Sequence, residues 1–159
     1  MHSEARRLIE AIGMAPHPEG GYYRETFRSS ASVTTHDGTL RSAATSIYFL
    51  LTAESFSAFH RIASDETWHF YRGDPLTIEI IAPNGTHESR ILGTGEAFQT
   101  TVSARAYFAS HVDRANGYAL VGCDVAPGFE FEDFELAVRS ELAAEYPAHA
   151  ELIERFTRR

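Results

Sequence analysis

His60 is followed six residues later by Glu66 and seven residues after that by Gly73, in a stretch from Phe59 to Leu76 that reads as strand, short turn, strand and glycine turn. An imidazole that exchanges a proton near neutral pH, with a carboxylate close enough to orient it, is the minimum equipment for general acid–base chemistry. Successive side chains of a strand point to opposite faces. If His60 faces inward, Ala58 and Ile62 do too; an inward Glu66 brings Trp68 and Phe70 with it and turns His69 and Tyr71 outward. One histidine and one carboxylate would then share a cavity walled by aromatic rings, suited to a small molecule. The same two residues are also compatible with a buried, mutually satisfied polar pair that does no chemistry.

Such a pair needs a sheet to hold it. Residues 3–13 predict a helix, with Ser3 as N-cap, Ala5, Leu8, Ile9 and Ile12 on one face and Gly13 as the stop. The turn Pro16 to Gly21 leads into a strand from Tyr22 to Ser29, where Arg24 shares a face with Tyr22 and Thr26. Pointing inward, Arg24 could hold a carboxylate or phosphate of a ligand; pointing outward it is simply solvated. Thr45 to Leu51 is too apolar to be half exposed and predicts a central strand carrying Tyr48.

Alternating runs at Leu76–Ile80, Glu88–Leu92, Ala97–Val102, Arg105–His111 and Gly117–Val125 complete about nine short strands separated by glycine, proline and asparagine turns, with no βαβ alternation. Phe129 and Phe131 would share a strand face and close the packing, and Pro147 divides two short C-terminal helices. The expectation is one all-β domain over 1–159, with a helix at 3–13, a barrel over about 20–136 and helices over about 138–157.

The formal charge of −8, with no basic run, argues against a polyanion partner such as nucleic acid. The longest apolar run, Ile47 to Leu51, is far short of a bilayer span, and no secretory pattern opens the sequence, so a cytoplasmic protein with no membrane association is expected. Cys123, the single cysteine, lies in an apolar strand and reads as a buried, inert thiol. Ser110, His111 and Asp113 carry triad residue types without a nucleophile elbow and read as chance composition. His2, His87 and His149 read as solvated.

The spacing of His60, Glu66 and Gly73 resembles the first signature of cupin barrels, with Ile62 in place of its second histidine. Against the second signature, anchored on Gly95, Thr101, Ser103, Ala106 and Ser110 replace the proline, glycine, histidine and asparagine. A metal cupin uses three histidines and the glutamate, so the residues read as metal-free unless His17 or His111 folds in to complete a site.

Three longer phrases, His17 to Thr26, Ser64 to Tyr71 and Val121 to Phe129, resemble the cupin_5 family of small cupins along nearly the whole chain. That resemblance implies a jelly-roll barrel (a cupin-type double-stranded β-helix) with flanking helices, usually a homodimer, similar in shape to metal-free dTDP-4-dehydrorhamnose 3,5-epimerases. Tyr107 and Ser103 depart from it, where a tryptophan and a proline are expected.

Two functional readings follow. In an epimerase- or isomerase-type enzyme without a cofactor, His60 is the base, Glu66 orients it and Tyr107 or Tyr48 is the acid. In a non-catalytic binder of a small polar or aromatic metabolite, a sugar nucleotide among the candidates, Tyr48, Trp68 and Phe70 are walls, and His60, Gln99 and Arg24 are polar anchors.

Overall fold

Strand alternation and frequent turns give two antiparallel sheets packed face to face. The computed structural model describes residues 1–158. In chain order the elements are α1 (Ser3–Ile12), β1 (Ala15–Pro16), β2 (Tyr22–Arg28), β3 (Ser32–Thr34), β4 (Leu40–Ser42), β5 (Thr45–Thr52), β6 (Ser57–Arg61), β7 (Asp65–Gly73), β8 (Leu76–Ile81), β9 (His87–Leu92), β10 (Gln99–Val102), β11 (Tyr107–His111), β12 (Tyr118–Ala126), β13 (Glu135–Leu136), α2 (Arg139–Glu145) and α3 (Ala150–Arg155).

One sheet runs β1-β2-β5-β12-β7-β10 and the other β13-β6-β11-β8-β9, while β3 and β4 form a separate hairpin. The strands are antiparallel at each pairing. This is the expected all-β jelly-roll of the cupin type.

The inner faces meet in a core of Phe49 and Leu51 from β5, Trp68 from β7, Val121 from β12, Ile78 and Ile80 from β8, and Phe108 from β11. Because side chains alternate, the outer face of the five-stranded sheet is also apolar, and Phe59, Ile81, Tyr107 and Ala109 are covered there by Leu142, Ile153 and Phe156 of the C-terminal segment. Ala5 and Leu8 of α1 cover Leu50, Tyr118 and Leu120 on the other sheet.

Two local expectations change. The N-cap of α1 is His2 rather than Ser3, because His2 Nδ1 accepts the Glu4 backbone N–H at 3.2 Å. Residues 129–134 form no strand: Phe131–Asp133 is a single 3₁₀ turn, and it carries the phenylalanines over one end of the sandwich.

Candidate functional site

At that end the two sheets part around a cavity of about 160 Å³. β6 places His60 there, 2% exposed, and β7 adds Glu66 and Trp68 on one inward face. The walls are aromatic: Tyr23, Phe49 and Trp68 from the strands, and Phe129, Phe131 and Phe134 from the segment above.

The partner of His60 is Glu19 rather than Glu66. Glu19 lies in the tight turn between β1 and β2, where the backbone has room only for glycine at position 20: φ is +117° and a Cβ would sit 2.1 Å from the Phe56 carbonyl oxygen. Two contacts lock this turn, with the Glu19 carbonyl accepting from the Ala58 backbone N–H at 2.8 Å and from Arg158 Nη2 at 2.9 Å. The Glu19 carboxylate then accepts from the Ser57 hydroxyl at 2.8 Å, and its Oε2 lies 3.2 Å from both His60 Nε2 and His17 Nδ1.

The other nitrogen of His60, Nδ1, is 2.7 Å from the Ala58 carbonyl oxygen. A carbonyl only accepts, so Nδ1 carries a proton, and Nε2 is turned to Glu19 at 3.2 Å rather than to the cavity. Burial draws His60 below its ordinary pKa against the pull of Glu19. Burial pushes Glu19 up, but His60, His17 and Ser57 outweigh it and hold this carboxyl below its usual range.

Glu66 shows the opposite balance. Burial, reinforced by the neighbouring negative charge of Glu19, pushes its pKa up to about 8, while the Cys123 thiol and the Trp68 indole pull weakly the other way. The indole N–H is near enough to Glu66 to exert this pull but makes no hydrogen bond of ordinary geometry, and Trp68 Nε1 is buried without a partner. At neutral pH the cavity therefore holds one ionised carboxylate, accepting from Ser57 and lying against His60 and His17, and one neutral carboxyl facing open space. Cys123 is inert, its thiol raised well above its usual range by burial and by Glu66.

The remaining predicted site residues lie elsewhere. Arg24 is on the outer face of β2, where its guanidinium bonds the Ile12 carbonyl at the end of α1; the neighbours Tyr23 and Glu25 face the cavity instead. Tyr48 is on the outer face of β5, edge-on to Tyr71. Gln99 is also outside, 3.0 Å from His69 Nδ1, and His69 bonds Asp124 at 2.8 Å. Phe70 points inward but packs against the core beyond the cavity, under Gly93. Tyr107 is on the outer face of β11, donating to Glu135 at 3.0 Å beneath the Arg61 guanidinium, so it cannot serve as the acid of this cavity.

Sequence reasoning missed Glu19, Tyr23 and the clasp at the mouth. There, Arg28 bonds both oxygens of Glu25 (3.1 and 2.8 Å), Glu130 at 2.7 Å and the Phe129 carbonyl at 3.0 Å.

His17 does fold in, and His111 does not. Among the described residues no group of three or more His, Cys, Asp or Glu is arranged to hold a metal ion. His60 Nε2 and His17 Nδ1 both face Glu19 Oε2, and His60 Nδ1 faces the Ala58 carbonyl, so these ring nitrogens are taken up within the protein. The three-histidine donor set of the cupin signatures is also incomplete, with Ile62 and Ala106 at two of its positions.

Comparison with known proteins agrees with this architecture. A hypothetical protein from Leishmania major is 38% identical, with a TM-score of 0.92 over 100% of both chains. Protein SO0799 from Shewanella oneidensis is 37% identical, with a TM-score of 0.87 over 99% of this chain and 98% of its own. The uncharacterized protein YML079W of Saccharomyces cerevisiae is 29% identical over 150 residues, 82% of this chain and 74% of that protein. Residues 6–137 match the family described as Cupin superfamily (DUF985), so the chain belongs to the Cupin_5 family.

Proposed function

We propose that this cupin binds a small polar metabolite inside the barrel, without a metal, and that Glu66 supplies the decisive polar contact as a neutral carboxylic acid. The carrying observation is a carboxyl 8% exposed, facing a cavity with aromatic walls and kept protonated at neutral pH. A neutral carboxyl donates one hydrogen bond and accepts another, which a carboxylate cannot do. Glu19 is the fixed charge beside it; because His60 donates through Nδ1 to Ala58 and turns Nε2 to Glu19, it positions and polarises rather than abstracts.

A second reading is isomerase-type turnover with Glu66 as the group that shuttles the proton, favoured by its pKa near 8, close to the optimum for proton transfer at neutral pH. Deuterium exchange separates the two. Small ketones and hydroxy ketones are incubated with the protein in D₂O and followed by proton NMR. Turnover predicts loss of α-proton signal faster than in buffer, reduced at least about 100-fold by Glu66→Gln. Binding without any exchange by wild-type protein leaves a binder and removes the enzyme reading.

A further inference from the structure

The charge and size of the cavity narrow the class of molecule it can take, given the reading above that the cavity is a ligand site. Among the described residues Arg28 is the one arginine that lines it, and its guanidinium is already committed to Glu25, Glu130 and the Phe129 carbonyl. Facing it are the carboxylates of Glu19, Glu25 and Glu130. A phosphate, a pyrophosphate or a carboxylate entering here would pass part-exposed Glu25 and Glu130 at the mouth and reach a buried interior beside Glu19, with no free cation among the described residues to receive it. An unpaired charge buried there is prohibitive.

The volume points the same way. A cavity of about 150 Å³ holds a single six-membered ring. The 160 Å³ here therefore takes one ring and excludes a sugar nucleotide. The rings of Phe49, Trp68 and Phe134 suit the faces of such a ring.

Two neighbouring groups on β7 are left to orient the ligand. Glu66 is more than nine-tenths buried and lines the cavity, and its strand neighbour Trp68 brings an indole N–H with no partner. Both are donors, so the complementary ligand atom is an oxygen that accepts. We propose that the site takes an uncharged carbonyl compound about the size of one six-membered ring, seated with its carbonyl oxygen on the Glu66 carboxyl beside the Trp68 indole.

Trp68 is the single tryptophan of the chain, so one indole N–H resonance reports on the cavity directly. Three probes share a ring and differ in charge: cyclohexanone, cyclohexanecarboxylate and cyclohexylammonium. Each is titrated into the full chain by ¹H–¹⁵N NMR, and affinities are checked by calorimetry at pH 7 and pH 9.

The expected result is a saturable downfield shift of the indole N–H with cyclohexanone and at least about tenfold weaker binding of the other two. Since the ligand needs the protonated carboxyl, cyclohexanone affinity should fall roughly tenfold per unit above pH 8. In Glu66→Gln, whose amide donates at any pH, that loss should disappear. Equal or tighter binding of the carboxylate or the ammonium ion would overturn the ligand class while leaving the cavity a ligand site. No movement of the indole resonance with any of the three would remove the ligand site itself.

Discussion

Glu19 and Glu79 are each held between two histidines, one inside the barrel and one outside it. On the inner side, Glu19 Oε2 faces His17 and His60 at 3.2 Å. On the outer face of β8, Glu79 takes His87 at 2.8 Å, His111 at 3.2 Å and the Ser89 hydroxyl at 2.5 Å. His111 continues to Asp113 at 2.9 Å and stacks on Phe156 with ring centroids 4.6 Å apart. Both carboxyls are held below their ordinary range against burial: Glu79 by Ser89 and the two histidines, Glu19 by His60, His17 and Ser57.

The two clusters have almost the same composition and differ in what surrounds them. Glu79 is roofed by the C-terminal segment, and its donors and acceptors pair with one another, which makes a strut. Glu19 has a second carboxyl within electrostatic reach, and that carboxyl faces space. A site is marked here by an unspent hydrogen-bonding group next to a cavity, not by the histidines and carboxylates themselves.

The sharpest way to break this contrast is to remove one histidine from each cluster. His60→Ala strips a fully buried partner from Glu19 and is expected to cost about 3–5 kcal/mol, as for a broken buried pair. His111→Ala, at the partly solvated cluster, is expected to cost about 1–3 kcal/mol and to leave cyclohexanone binding unchanged. Chemical denaturation measures both, and equal costs would mean that the clusters are equivalent struts.

A smaller effect of opposite sign comes from Glu66→Gln. The folded-state pKa near 8 lies above the ordinary 4.5, so below pH 4.5 the carboxyl costs nothing. Stability is lost as the unfolded chain ionises between 4.5 and 8. Glu66→Gln should thus stabilise by about 2–4 kcal/mol at pH 8 and by little at pH 5. A gain independent of pH would mean that Glu66 is ionised in the folded protein.

Much of the fold was legible because alternation and turn residues are local signals. The inward set His60, Ile62, Glu66 and Trp68 followed from strand periodicity once one member was placed. Phase, however, is not local. Tyr48 sits in a run apolar on both sides, so nothing in it tells inward from outward, and a bulge between Glu25 and Phe27 resets the count along β2, the strand of Arg24.

Glu19 was out of reach for a different reason. It lies in a proline–glycine turn, and its meaning comes from Ser57 and His60, about forty positions away. The usable signal was the first phrase shared with the cupin_5 family, His17 to Thr26, which contains Glu19 and the His17 that shares its carboxylate with His60.

The clamp on the Glu19 turn bears on the order in which the molecule assembles. Arg158 reaches back 139 positions to the Glu19 carbonyl, and the Phe59 backbone N–H donates to the Phe156 carbonyl at 2.8 Å. Closing so wide a loop is entropically expensive, whereas the pairings of Trp68 with Thr100 and Cys123 on the flanking strands close shorter loops. The apolar interior can therefore form while the carboxylate that polarises it is still adrift. In a refolding time course, Trp68 fluorescence should reach its native value before cyclohexanone binding returns; simultaneous recovery would show that the clamp and the barrel form as one cooperative unit.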